Sequence, residues 1–444
     1  MKQPNVVFFF TDQQRWDTTG PGGNPMGLTP CFDRMAAEGT CFTNTFTCQP
    51  VCGPARASLQ TGKYSTNTGV FRNGIALKKD EKTLAHWFKE AGYTTGYIGK
   101  WHLASGDPVP RKEQGGYDYW LGANILEFTS EPYRCVMYDK EGKEVFLPGY
   151  RIDAQTDAVI RYITEHRNEP FFLFVSYLEP HHQNHLDDYP PPDGYRERYS
   201  DPWCPPDLKA NPGTSPQHLS GYYGMIAKLD EALGRIQDAL KSMGLFDDTI
   251  LFYTSDHGNH FKTRNDEYKR SCHEVSLRIP FAVRGPGFNE GGNISSVVNL
   301  VDIPPTILDS AGISVPDSME GRSLLEKRSG SRGDMETVFA QYSEAVVGRT
   351  VRSRRWKYAV EAPDLDAGSE SYADTYREAY LYDLKSDPYE LRNLIGYDSH
   401  REVTSVMRKE LKEWIKSVEK RDCEIISAET ISGGQRRVAA EDIY

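Results

Sequence analysis

The 444-residue sequence contains no run of about 18 apolar residues, the length a helix needs to cross a bilayer, which excludes a helical membrane span. It has no excess of positive charge. Lys and Arg total 52 against 63 Asp and Glu, a net charge of −11. A chain this acidic has no overall field to draw in nucleic acid or an anionic membrane, so an anionic substrate would have to be held by local cations or a metal. There is no Cys-x-x-Cys pair. Cys31, Cys41, Cys48, Cys52, Cys135, Cys204, Cys272 and Cys423 follow no regular framework, which fits a reducing compartment. There is no internal repeat and no low-complexity tract. The apolar run Val6–Phe10 is too short for the core of a secretory signal and is followed by no small-residue cleavage site, so a cytoplasmic location is expected.

What is present fits a soluble globular protein: 38% hydrophobic and 26% charged residues, in a length that suits two or three domains, or one large domain with an appendage. Over the first two-thirds, strand and helix signals alternate. Asn5–Thr11, Thr94–Ile98, Pro170–Leu178, Thr249–Thr254 and Ile279–Val283 read as buried strands. Pro30–Glu38, Pro54–Thr61, Thr83–Ala91, Asp153–His166, Gln217–Met243 and Val301–Ser310 read as helices, the fifth from Ile226, Leu229, Leu233, Ile236 and Leu240 at spacings of three and four. This alternation predicts an α/β fold with a large, mostly parallel sheet covered by helices on both faces, and sites at the carboxyl ends of its strands. The polar, Gly/Ser/Arg-rich stretch Glu326–Asp334 marks an expected boundary between a catalytic α/β domain over 1–335 and a C-terminal α+β subdomain over 336–444. In the latter, short strands at Thr337–Tyr342, Thr350–Ser353, Trp356–Val360 and Tyr380–Leu384 precede a helix at about Arg401–Val418.

Asp12 and Gln13 stand just past the first strand, and Asp256 and His257 just past the strand at Thr249–Thr254. Donors at two strand ends can converge on one cation: carboxylate and amide oxygens favour a hard divalent ion, and His257 widens the choice toward Mn²⁺ or Zn²⁺. On either pair alone, the reading of Asp12 and Asp256 as helix caps or turn residues is the better one. Cys52-Gly53-Pro54-Ala55-Arg56 places a cysteine at the positive end of a helix with an arginine one turn on, a setting for an acidic, reactive thiol, though an isolated cysteine is more often a structural one.

Cys52-x-Pro54-x-Arg56, continued by Ala57-Ser58-Leu59-Gln60-Thr61-Gly62-Lys63-Tyr64, resembles the signature of the type I, formylglycine-dependent sulfatases of the alkaline phosphatase superfamily. Gly92-Tyr93-Thr94-Thr95-Gly96-Tyr97-Ile98-Gly99-Lys100-Trp101-His102 resembles their second signature. The resemblance continues in order through Glu179-Pro180-His181, Ser255-Asp256-His257-Gly258, Lys269, Arg278-Ile279-Pro280, Val301-Asp302-Ile303-Pro304-Pro305-Thr306, Gly321-Arg322-Ser323-Leu324-Leu325 and Leu381-Tyr382-Asp383-Leu384. It implies an alkaline phosphatase-like fold and hydrolysis of a sulfate ester. It further implies that a formylglycine-generating or sulfatase-maturating enzyme oxidises Cys52 to formylglycine. The hydrate of that aldehyde offers one hydroxyl to attack sulfur and a second to expel sulfate as the aldehyde re-forms.

By the same resemblance Asp12, Gln13, Asp256 and His257, with the modified Cys52, hold a divalent metal, Ca²⁺ being expected and Mg²⁺, Mn²⁺ or Zn²⁺ compatible. Arg56 supports the hydrate and the metal, Lys100 and Lys269 grip sulfate oxygens, His102 takes the proton of the elimination step, and His181 protonates the leaving alcohol. Gln13 stands where many members have Asp, and His257 where many have Asn; both forms also occur in the related phosphonate monoester hydrolases. The expected substrate is a small sulfated mono- or oligosaccharide. The alternatives are phosphonate monoester or phosphodiester hydrolysis on the same fold, or a silent binding protein with Cys52 unconverted. Arg72 and Asn73, beyond the Cys52 helix, are candidate sugar contacts, as is the Lys262/Arg264/Arg270 group, for which a solvated face is an equal reading; His182 and His185 are lesser candidates. The segments Asp107–Gly149 and Gln183–Pro216 are expected to be specificity loops. The oligomeric state is not legible.

Overall fold

A computed structural model describes residues 3–325, 337–433 and 438. The expected boundary at Glu326–Asp334 and the end of the chain lie outside the described residues. The first sheet holds β1 (Asn5–Thr11), β2 (Thr40–Phe46), β3 (Thr94–Lys100), β4 (Tyr119–Ala123), β5 (Arg134–Asp139), β6 (Glu144–Pro148), β7 (Phe171–Ser176), β8 (Thr249–Ser255), β9 (Arg278–Ile279), β10 (Phe281–Arg284) and β11 (Gly292–Asn299). Their order is β11-β2-β10-β8-β1-β7-β3-β4-β5-β6, with β9 paired to β2. The centre, β8-β1-β7-β3-β4, is parallel throughout; β5, β9 and β10 alone run against it. β10 lies antiparallel between β8 and β2, which restores the common direction on its far side.

The sequence Asn5-Val-Val-Phe-Phe-Phe-Thr11 is apolar without alternation because β1 is buried on both faces. Val6, Phe8 and Phe10 enter one core, and Val7 and Phe9 the other. β7 and β8 divide in the same way, Phe172, Phe174, Ile250 and Phe252 against Leu173, Val175, Leu251 and Tyr253. Registered stacking, Phe8 on Phe174 with centroids 4.8 Å apart, locks the central strands level, so their carboxyl ends fall side by side. The helices Arg151–Glu165 and Ser215–Ser242 cover the second face.

A second sheet, β12 (Val338–Tyr342), β13 (Val347–Arg352), β14 (Trp356–Ala362), β15 (Thr375–Asp383) and β16 (Glu424–Ile426), is antiparallel but for its last pair. The helix Arg401–Glu419 lays Val403, Met407, Leu411, Ile415 and Val418 on it, and the core so formed is continuous with that under β1. No helix among the described residues is long and apolar enough to cross a membrane.

Four readings change. Thr40–Phe46 is a strand that was not expected: its Thr and Asn give no apolar run. Asp107–Gly149 is not a loop but carries β4, β5 and β6, the sheet's outer wing. Pro280 divides the expected strand Ile279–Val283 into β9 and β10, because proline has no N–H to donate to a ladder. The helix expected from Pro54 begins two residues earlier, at Cys52.

Candidate active site

Asp12 follows β1, Asp256 and His257 follow β8, Lys100 ends β3 and Ser176 ends β7. Adjacent parallel strands therefore bring these residues to one place. Lys100 depends on Gly99 at φ 119, where an added Cβ would fall 1.8 Å from the Ser176 carbonyl oxygen. Cys52 arrives from the other direction as the first residue of a ten-residue helix buried along its whole length, so its sulfur meets both the helix dipole and the strand ends.

The Cys52 Sγ lies 3.3 Å from Asp12 Oδ1, 3.2 Å from His257 Nε2 and 2.7 Å from Lys269 Nζ. Lys269 Nζ is 3.2 Å from His257 Nε2 and 3.3 Å from His181 Nε2. Lys100 Nζ pairs with Asp12 Oδ2 at 2.8 Å and Glu127 Oε1 at 3.0 Å. Arg56 donates to Asp12 Oδ2 at 2.9 Å, and also to the Lys100 carbonyl and the Ser176 hydroxyl. Asp256 Oδ1 accepts from the backbone N–H of Gln13 and His257. Asp12, Gln13, Lys100, Asp256 and His257 have no exposed surface, whereas His102, His181 and Lys269 keep between 5% and 8%. The cage is closed at the strand ends and opens toward the two histidines and Lys269.

Electrostatics follow this geometry. Burial opposes ionisation of Cys52, but Lys269, Lys100 and His257 overcome it and hold the thiol well below its ordinary range. Burial and the Cys52 sulfur push Asp12 up, and Lys100, His181 and Arg56 outweigh them, so it stays ionised. Burial, then the neighbouring Asp12, push Asp256 up to about 7. Burial and Lys100 push His181 down, toward the neutral imidazole.

Four ligand atoms, from Asp12, Cys52, Asp256 and His257, lie within 4.8 Å of one another. Two further observations fit a hard cation there: the buried Gln13 Oε1 and Asp256 Oδ2 make no hydrogen bond. Amide and carboxylate oxygens left without donors among two adjacent carboxylates are the donor set of a divalent ion.

The catalytic and metal-binding residues expected at the site are thus brought together, and among the proposed sugar contacts Asn73 reaches the Cys52 turn. Asn73 Oδ1 accepts from Gly53 N at 2.9 Å, so its side chain holds the Cys52 turn, and Arg72 donates to the Asn73 carbonyl. Arg264 donates to the Tyr389 and Glu390 carbonyls, Arg270 pairs with Glu267 and Glu344, and Lys262 lies over the Tyr268 ring. His182 meets Tyr268 and Asp187, and His185 meets Glu131. Not foreseen were Glu127, the second anion on Lys100, and Tyr189, whose hydroxyl accepts from Gln13 Nε2 at 3.0 Å. Nothing in their spacing marks either one, since both lie far along the chain from their partners.

Residues 4–313 match the family model described as Sulfatase, and residues 266–417 the one described as N-sulphoglucosamine sulphohydrolase, C-terminal. An ulvan-active sulfatase of Formosa agariphila is 31% identical over 421 residues, covering 89% of this chain and 77% of the relative. An N-acetylglucosamine-6-O-sulfatase of Bacteroides thetaiotaomicron is 27% identical over 478 residues, covering 89% and 83%. A crystal structure of yidJ from Bacteroides fragilis superposes with a TM-score of 0.83 at 26% identity, covering 94% of this chain and 96% of that one. With a matching model over most of its length and a cysteine-centred cage at the strand ends, the chain belongs to the sulfatase family.

Proposed function

We propose that the protein removes sulfate from a small sulfated mono- or oligosaccharide, with Cys52 oxidised to formylglycine by a maturation enzyme and a divalent cation, Ca²⁺, beside it. The observation that carries this reading is the contact of Cys52 Sγ with Asp12, His257 and Lys269 inside one buried cage. The sulfur occupies the position from which the oxygen of a formylglycine hydrate would attack, and that hydrate supplies both the attacking hydroxyl and the one that expels sulfate. Asp12, Gln13, Asp256 and His257 would hold the cation, which supplies charge neutralisation at a sulfate oxygen.

The remaining chemistry belongs to the chain's own groups. Lys100 and Lys269 place two ammonium groups where sulfate oxygens gain charge, in a site shielded from water. They provide locally the attraction that an acidic molecule lacks overall. His181, at the open side, would protonate the leaving alcohol from its charged form, and burial, Lys100 and the Lys269 ammonium 3.3 Å away weaken its hold on that proton. His102, whose buried Nδ1 makes no hydrogen bond, would accept the proton of the second step. Arg56 fixes Asp12 against β3 and β7. Two relatives are named for action on ulvan and on N-acetylglucosamine, which supports a saccharide ester as substrate.

Mass spectrometry of the Cys52 peptide, combined with a panel of saccharides sulfated at defined positions, tests the proposal. Loss of sulfur and gain of oxygen at Cys52, together with sulfate release that chelation stops and Ca²⁺ restores, is the expected result. Cys52→Ala should lower turnover by on the order of 10⁴- to 10⁶-fold, as loss of a nucleophile does. Undiminished turnover in that variant, or faster cleavage of an aryl phosphonate than of any sulfate, would overturn the reading.

A further inference from the structure

A second group of ligand atoms sits beside the cage, His182 and Asp187 on the segment that follows His181 and His218 on the helix Ser215–Ser242. His182 follows His181, and Tyr268 precedes Lys269. His182, Asp187 and His218 each present an atom within 4.8 Å of the other two. Both histidines are buried, whereas Asp187 is open to solvent with 76% of its side chain exposed. His182 Nε2 stands 3.1 Å from Asp187 Oδ1 and 3.0 Å from the Tyr268 hydroxyl, which is itself 3.3 Å from Asp187 Oδ1. Of the ligand pairs, His182 Nε2 to Asp187 Oδ1 at 3.1 Å approaches the edge, about 3.3–3.4 Å, of a tetrahedron whose corners lie ~2.0–2.1 Å from its centre, the distance at which Zn²⁺ binds imidazole and carboxylate.

The imidazoles are also prepared for a metal. His182 Nδ1 is 3.2 Å from Asn184 Oδ1, so a proton on Nδ1 has an acceptor there, and in that tautomer Nε2 offers its lone pair on the Asp187 side. An oxygen behind the ring is the usual way in which a ligating histidine is oriented. The Nδ1 of His218 is buried and makes no hydrogen bond, with Asp188 Oδ1 at 3.6 Å.

We propose that His182, Asp187 and His218 bind a second, exchangeable divalent ion of the zinc class, distinct from the cation of the Cys52 cage. Two imidazoles and one carboxylate select Zn²⁺, Co²⁺ or Ni²⁺ over Ca²⁺. The exposed side of Asp187 leaves coordination open to water or to a ligand oxygen. Because His182 adjoins His181 and Tyr268 adjoins Lys269, an ion here braces both loops that close the cage.

Calorimetric titration of Zn²⁺ into the full-length protein, held in saturating Ca²⁺, tests this. The wild type should take up one equivalent at this site, His218→Gln should lose it, and Asp187→Asn should weaken it by more than the roughly tenfold that loss of an outer-shell partner costs. Asp187 is exposed, so its substitution reports on the site without a folding defect. Zn²⁺ captured by Cys52 or another thiol would be indifferent to Asp187→Asn. Unchanged affinity in that variant, absence of saturable uptake by the wild type, or displacement of the bound Zn²⁺ by Ca²⁺ would each overturn the proposal.

Discussion

A lysine ammonium without exposed surface persists only where anions surround it, and Lys100 has two, Asp12 and Glu127. Burial pushes Glu127 up, but Lys100, with His181 and His102, brings it down to about 2 from 4.5. A carboxylate depressed in the folded state contributes stability that is complete above its unfolded value and lost as pH falls through the folded one. Acidification from about 4.5 to 2 should therefore cost the wild type up to about 3 kcal/mol through this residue alone. Glu127→Gln should flatten that limb of a melting-temperature profile while leaving the profile above pH 6 parallel to the wild type; parallel acid limbs would refute the assignment. His181 makes a prediction about substrate. A residue that protonates the leaving alcohol matters least when that alcohol leaves easily, so His181→Gln should slow release from a sugar sulfate by about 10²- to 10⁴-fold and from an activated aryl sulfate far less. Equal losses on both substrates would assign His181 to binding instead.

At the scale of the element, the site is a consequence of strand ends held level. β3 and β7 approach so closely at Gly99 that no side chain fits between them. Gly99→Ala meets the Ser176 carbonyl and a positive φ together, and should destabilise the fold by on the order of 2–4 kcal/mol in urea unfolding. It should also lower activity in the fraction that remains folded, because Lys100 is the next residue. A change under about 0.5 kcal/mol, the level of an ordinary surface substitution, would show that the strands can part. The Cys52 helix is the complementary element. Gly62, at φ 72, closes it and its N–H donates to the Ser58 carbonyl, while Asn73 caps the turn at Gly53.

At the scale of the molecule, the second sheet is tied to the site rather than appended to it. Glu274, on the segment that runs from Lys269 to β9, meets Lys357 of β14 at 2.7 Å and Arg352 of β13 at 3.3 Å, and Lys357 also meets Glu390 at 2.7 Å. All four side chains are buried. Removing one partner from such a network leaves a buried charge without its counterion, so Lys357→Met should cost about 3–5 kcal/mol. Equilibrium unfolding measures this, and a value below about 1 kcal/mol, that of an exposed pair, would mean that water reaches the network.

How much could be read along the chain depended on what each residue needed. Unbroken apolar runs marked β1, β7 and β8, whose positions are buried on both faces; β2 escaped, because a threonine can be buried when a distant carbonyl accepts from it, as that of Phe288 does from Thr40. Cys52, Asp12, Lys100 and His181 were legible through short-range motifs, whose spacing is set by one helix turn or one strand end. Glu127, Tyr189 and the meeting of His182 and Asp187 with His218 were not, since Lys100, Gln13 and His218 respectively lie tens of residues or more from them and only tertiary packing brings them together. The order of residues thus determined which groups can do chemistry and which strands carry them. The folded chain alone decided which charges face one another in the absence of water, because burial and distance, and hence the strength of every ionic contact here, are properties of the assembled molecule.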